Sequence, residues 1–115
     1  MPRLTYLELP AIDPERSAAF YAAVCGWKID RRGPGDPRLE DQAAQLIGRW
    51  VVDRAAAREP GMVPYFMVDS VEASIAAATA HGGEIVAPPR LEGDTRIARL
   101  RDPAGTVIGI WQLAR

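Results

Sequence analysis

The chain has 115 residues, 48% of them hydrophobic and 25% charged, with a formal net charge of −1. That length carries one domain with one core, and the balance is ordinary for a globular protein. Near-neutral charge provides no field for nucleic acid or an anionic membrane, and no apolar run is long enough to cross a bilayer. The single cysteine, Cys25, cannot form an intramolecular disulfide, and Met1 to Tyr6 has no signal-peptide pattern. A cytoplasmic protein is expected, with neither nucleic acid nor membrane among its partners.

Thr5-Tyr6-Leu7-Glu8-Leu9 alternates, which predicts a half-buried strand with Leu7 and Leu9 on one face and Tyr6 and Glu8 on the other. Asp13-Pro14-Glu15 is a helix start: a capping carboxylate, a proline at the first helical position and an acid that complements the dipole. Ala18, Tyr21, Ala22 and Cys25 form an apolar stripe, and Gly26 ends the helix. Trp27 to Asp30 reads as a second strand. Arg31 to Leu39, with two glycines and two prolines, reads as a loop or broken strand. Strand signals return weakly over 41–44 and firmly from Gln45 to Val52, and 53–61 connects two halves.

Val63 to Val68 is the next apolar strand. Asp69 and Glu72 fit a capping box for a second helix that stops at Gly82-Gly83. Glu84-Ile85-Val86 follows and is broken by Pro88-Pro89. Strands over 95–100 and 106–112 flank the turn Asp102-Pro103-Ala104-Gly105. Asp13, Gly26 and Ile29 recur as Asp69, Gly82 and Ile85, a constant offset of 56 residues. The reading is α+β: a strand-helix-three-strand unit written twice, at about 1–55 and about 62–115 of a single domain. The two units would form a curved mixed sheet with helices on the outer face and a hollow inside.

Tyr6-Leu7-Glu8-Leu9-Pro10, then Asp13 to Tyr21, then Gly26-Trp27 resemble the opening of a vicinal oxygen chelate module. Asp102 to Gln112 resembles its closing hairpin. The likeness spans essentially the whole chain. It implies the paired βαβββ fold of the glyoxalase, bleomycin-resistance and extradiol-dioxygenase superfamily, commonly assembled as dimers, so a homodimer is expected. Metal-dependent members hold a divalent ion with His, Gln or Glu from strands of both modules, leaving positions open for substrate oxygens. On the quoted motifs those positions fall on Tyr6, Val63 and Gly109, with a fourth near Gln45 or Gly48. Val63 and Gly109 have no ligating side chain, Tyr6 is a poor replacement for a neutral His, and the chain has one His. The resemblance therefore implies no metal and no other cofactor.

That one His, His81, ends the second helix, where a solvent-exposed role outweighs one as base or ligand. Cys25, on the apolar stripe, reads as core rather than nucleophile. Strand alternation points Tyr6, Glu8, Val63, Tyr65, Met67, Val107, Gly109 and Trp111 into the hollow. Trp50 or Arg49 joins them according to register. An aromatic lining with one acid suits a small, flat, partly apolar and even cationic ligand, with Tyr6, Glu8, Trp50, Tyr65, Met67 and Trp111 as the binding set. For Tyr65 and Trp111, packing is an equal alternative. Glu8 either marks the pocket or pairs with Arg49 or Arg99. Three functions follow: a metal-free small-molecule binding protein; an enzyme of lyase, isomerase or dioxygenase type with Glu8 as catalytic base and a tyrosine as acid, or with an unrecognised metal; or a partner-binding subunit whose hollow is filled.

Overall fold

Asp13 accepts a hydrogen bond from the Glu15 amide at 3.0 Å, Pro14 takes the first helical position, and Gly26 ends the helix at φ 71°. In the computed structural model, which describes residues 2–114, this helix is α1 (Pro14–Cys25), preceded by β1 (Tyr6–Pro10). Then come β2 (Lys28–Asp30), β3 (Arg38–Asp41), β4 (Leu46–Val51), β5 (Tyr65–Met67), α2 (Val71–Ala80), β6 (Glu84–Glu92), β7 (Thr95–Arg101) and β8 (Val107–Leu113). The class is α+β, a βαβββ unit repeated in series. Met1 and Arg115, the outer limits of the two units read from the sequence, lie outside the described residues. No helix among those residues is long and apolar enough to cross a membrane.

Hydrogen bonding divides the strands into two open four-stranded sheets, β1-β4-β3-β2 and β5-β8-β7-β6. In each, the first strand lies parallel to the last of its unit and the remaining neighbours are antiparallel. One core serves both sheets. Leu9, Leu39 and Trp50 enter it from the first, Ala98, Leu100, Ile108 and Ile110 from the second, and Ala18, Phe20, Tyr21, Val24, Val71 and Ala78 from the helices. Each sheet thus turns one face to the shared core and the other away from it.

Tyr21 holds the two units together. Its ring stacks on Trp27 at 4.8 Å and lies 6.1 Å from Trp50 and 6.3 Å from Phe66 of β5. Its hydroxyl donates to the buried carboxylate of Asp102, at 2.7 Å, in the turn between β7 and β8. The other Asp102 oxygen accepts from the amides of Ala104 and Thr106. Burial is the largest influence on both side-chain pKa values and raises them; the hydrogen bonds offset part of this for Asp102. Gly83 allows Phe20 its place, since a Cβ there would collide with the Phe20 ring and the Arg101 carbonyl.

Several expectations change. Ser17, Phe20 and Val24 are buried along with Ala18 and Tyr21, because α1 packs against its own sheet and against α2. Ser70, not Asp69, caps α2, accepting from the Ala73 amide, while Glu72 pairs with Arg96. Strand β3 begins at Arg38, inside the stretch read as loop, and 42–45 is a turn closed by Gln45 at φ 55°. Strand β6 runs through Pro88-Pro89, because it is an edge strand and two register shifts absorb the prolines.

Asp102→Ala strands the Tyr21 hydroxyl and two turn amides in a buried site. It should destabilise the protein by about 3 kcal/mol, against about 1 kcal/mol for Tyr21→Phe. Urea unfolding of the two variants measures the difference; equal and negligible losses would show that this tie does not hold the units together.

Candidate functional site

Leu9 is buried in the core and the half-buried Leu7 shares its face of β1, so Tyr6 and Glu8 take the open face of the first sheet. Register fixes their neighbours: Tyr6 pairs with Ile47 and Glu8 with Arg49 across β1 and β4. Leu9 pairs with Trp50, so Trp50 faces inward and is 2% exposed. Trp50 is therefore not on the open face with Tyr6 and Glu8. Its alternate, Arg49, stands on the open face, and Trp50 belongs to the aromatic cluster around Tyr21.

A depression of about 230 Å³ lies on this face, lined by Tyr6, Asp30, Arg38, Leu39, Glu40, Ile47, Gly48 and Arg49. Glu8 borders it through Tyr6 and Arg49. An Arg54 nitrogen approaches one Glu8 oxygen at 2.8 Å, the Tyr6 hydroxyl donates to the other at 3.1 Å, and Arg49 Nε lies 3.6 Å away. The Arg54 hydrogen bond foremost, then that from Tyr6, holds the Glu8 carboxyl below its ordinary range. The ion pair with Arg49 is present, whereas Arg99 donates instead to the Tyr65 hydroxyl at 2.8 Å.

Tyr65, Met67 and Trp111 lie on the open face of the second sheet. Tyr65 pairs with Gly109 and Met67 with Trp111. The Tyr65 ring covers Gly109, where a Cβ would collide with it, and Arg99 stands over that ring at 5.6 Å. Val107 is buried and Val63 half-buried. Among the described residues no hydrogen bond or ion pair joins this face to Tyr6 and Glu8. The set expected to line one hollow is divided between the two sheets.

Burial pushes the Cys25 thiol up, away from the thiolate a nucleophile needs. His81 is exposed at the end of α2, with Nδ1 2.9 Å from the Ala77 carbonyl oxygen. Among the described residues no three His, Cys, Asp or Glu side chains converge as ligands would, Glu8 is engaged by two guanidiniums, and the Tyr65 ring occupies the space at Gly109.

Sequence reasoning missed Arg38, Ile47, Asp30, Glu40 and Arg54. Arg38-Leu39-Glu40 alternates as a strand does, and reading that alternation through Pro37 would have placed Arg38 and Glu40 on the open face. Arg54 lies beyond β4, outside any periodic element, and left no such signal.

A family model described as the glyoxalase/bleomycin resistance protein/dioxygenase superfamily matches residues 3–110. The chain is 31% identical over 121 aligned positions to "Putative glyoxylase CFP32" of Mycobacterium bovis, covering 96% of this chain and 45% of that protein. It therefore spans less than half the length of that relative. A glyoxalase/bleomycin resistance protein/dioxygenase family enzyme from Burkholderia phytofirmans superposes with a TM-score of 0.76 at 21% identity, covering 97% of this chain and 99% of that one. TnmS3, an antibiotic binding protein from Streptomyces sp. CB03234, superposes with a TM-score of 0.69 at 24% identity, covering 98% and 97%. Matched across nearly its whole length, the chain belongs to the glyoxalase/bleomycin resistance protein/dioxygenase superfamily.

Proposed function

We propose that the chain is a small-molecule binding protein that works without a resident metal or other cofactor, and that its ligand sits on the open face of the first sheet against Tyr6, Ile47 and Arg49. The observation that carries this reading is the state of Glu8. A general base is most effective with a pKa near the working pH. Glu8 is held in the opposite direction by Arg54 and Tyr6, which suits a fixed charge in a binding face. The unsuitable donor set at the ligand positions of metal-dependent relatives supports the metal-free part. TnmS3, described as an antibiotic binding protein, supports binding as a use of this fold.

The hydroxyl of Tyr6, 3.1 Å from Glu8, favours a second reading as an acid–base enzyme. pH dependence separates the two. A carboxylate with a lowered pKa keeps its charge above its unfolded value and loses it only as pH falls through the folded one. Ligand affinity should therefore be flat from roughly pH 5 to pH 8. Turnover with a midpoint in that window, abolished by Glu8→Gln, would instead establish the enzyme.

We further propose a homodimer, in which a second copy covers the exposed side chains of Tyr65 and Met67. Sedimentation should give twice the 12.5 kDa chain mass, and Met67→Glu should return it to one chain. A monomer at all concentrations would refute this. Protein incubated with Ni²⁺, Zn²⁺, Mn²⁺ or Fe²⁺ and then dialysed should retain well under one ion per chain and melt at an unchanged temperature. A stoichiometric ion lost in Glu8→Gln would make a metalloenzyme the correct reading.

A further inference from the structure

Strand register arranges the open face of the first sheet in two rows. One runs Asp30–Arg38–Arg49–Glu8 across β2, β3, β4 and β1; the next runs Lys28–Glu40–Ile47–Tyr6. The first row reads acid, base, base, acid, yet each acid has a nearer cation outside the row. Asp30 is gripped by Arg32 through both oxygens, each at 3.0 Å, and also accepts the Arg32 amide. Glu8 takes its shortest contact from Arg54 at 2.8 Å, leaving Arg49 at 3.6 Å. Glu40, in the second row, lies 4.0 Å from Lys28. Among the described residues Arg38 has no carboxylate within 4.0 Å.

Arg38 and Arg49 thus pair directly across neighbouring strands and both line the same depression, Arg38 with no carboxylate within 4.0 Å among the described residues and Arg49 sharing Glu8 with Arg54. Like charges directly opposite in a sheet repel, and an anion between them removes that cost. Arginine presents a planar fork of donors that matches carboxylate and phosphate oxygens. Tyr6 and Ile47, the apolar half of the next row, lie about 7 Å along the strands, two residues away. The depression, about 230 Å³, is below the roughly 300–1,000 Å³ typical of pockets for drug-sized ligands. It suits a compact molecule or one end of a longer one.

We propose that the Arg38–Arg49 pair is an oxyanion subsite, and that the ligand of this face is a small amphiphilic acid whose carboxylate or phosphate group bridges the two guanidiniums while its apolar body lies on Tyr6 and Ile47. This rests on the small-molecule reading above and deepens it. It also reverses the cationic ligand suggested by a lone Glu8, because the structure shows that carboxylate already engaged.

Isothermal titration with benzoate, phenyl phosphate, benzamide and benzylamine tests the subsite. Benzoate or phenyl phosphate should bind saturably and more weakly as salt rises, and whichever binds tighter identifies the anionic group. Benzamide and benzylamine should bind at least about tenfold more weakly, and Arg38→Gln should weaken the preferred acid by about tenfold or more. Arg38→Lys, which keeps the charge but loses the planar fork, should fall between, and Arg96→Gln, away from this face, should match the parent. Thermal melting confirms that each variant is folded. Should benzamide or benzylamine bind this face as well as the acids do, or Arg38→Gln leave affinity unchanged, the oxyanion subsite is wrong while small-molecule binding stands. If none of the four probes binds, both readings fall.

Discussion

Tyr21 imposes the constraint from which the rest of the molecule follows. Its ring lies among Trp27, Trp50 and Phe66, and its hydroxyl reaches Asp102 across 81 residues of sequence. Aromatic pairs contribute about 0.5–1.5 kcal/mol beyond their buried area, and a buried phenol without a partner would cost more than its hydrogen bond returns. The helix carrying Tyr21 must therefore sit where it can touch both units. Both sheets then turn their apolar faces to the helices, and their other faces are left for ligand or partner.

The chemical character of each open face follows from that division. Parallel pairing of β1 with β4 sends Trp50 inward with Leu9 and Arg49 outward with Glu8. The outward side of this sheet is consequently a charged lattice with an apolar strip rather than an aromatic cage. Its carboxylates have nearer cations than the two central arginines: Arg32 for Asp30 and Arg54 for Glu8. The second sheet presents a different surface, where Tyr65 lies over Gly109 beneath Arg99 and leaves no space for a ligating side chain.

Much of the fold was legible because its determinants are local. Asp13-Pro14 and Gly26 mark α1, the 56-residue offset marks the repeat, and alternation in β1 places Tyr6 and Glu8 on one face. The α2 cap moved by one residue because Asp69 and Ser70 are both competent acceptors and only backbone geometry chooses. Prolines at 88 and 89 signalled a break because edge position, which tolerates them, is a property of the sheet and not of the segment. The candidate site was less legible for the same reason. Whether Trp50 or Arg49 takes the open face depends on pairing with residues 41 positions away, and Arg54 reaches Glu8 from a connection without periodicity.

The most direct test of the binding face is backbone-amide chemical-shift mapping of the isotopically labelled protein during titration with small aromatic acids, amides and amines. Saturable shifts should concentrate at Tyr6 to Glu8, Arg38 to Glu40 and Leu46 to Arg49. Shifts confined to Tyr65 to Met67 and Trp111, or to the helices, would contradict the assignment of the first sheet as the binding surface.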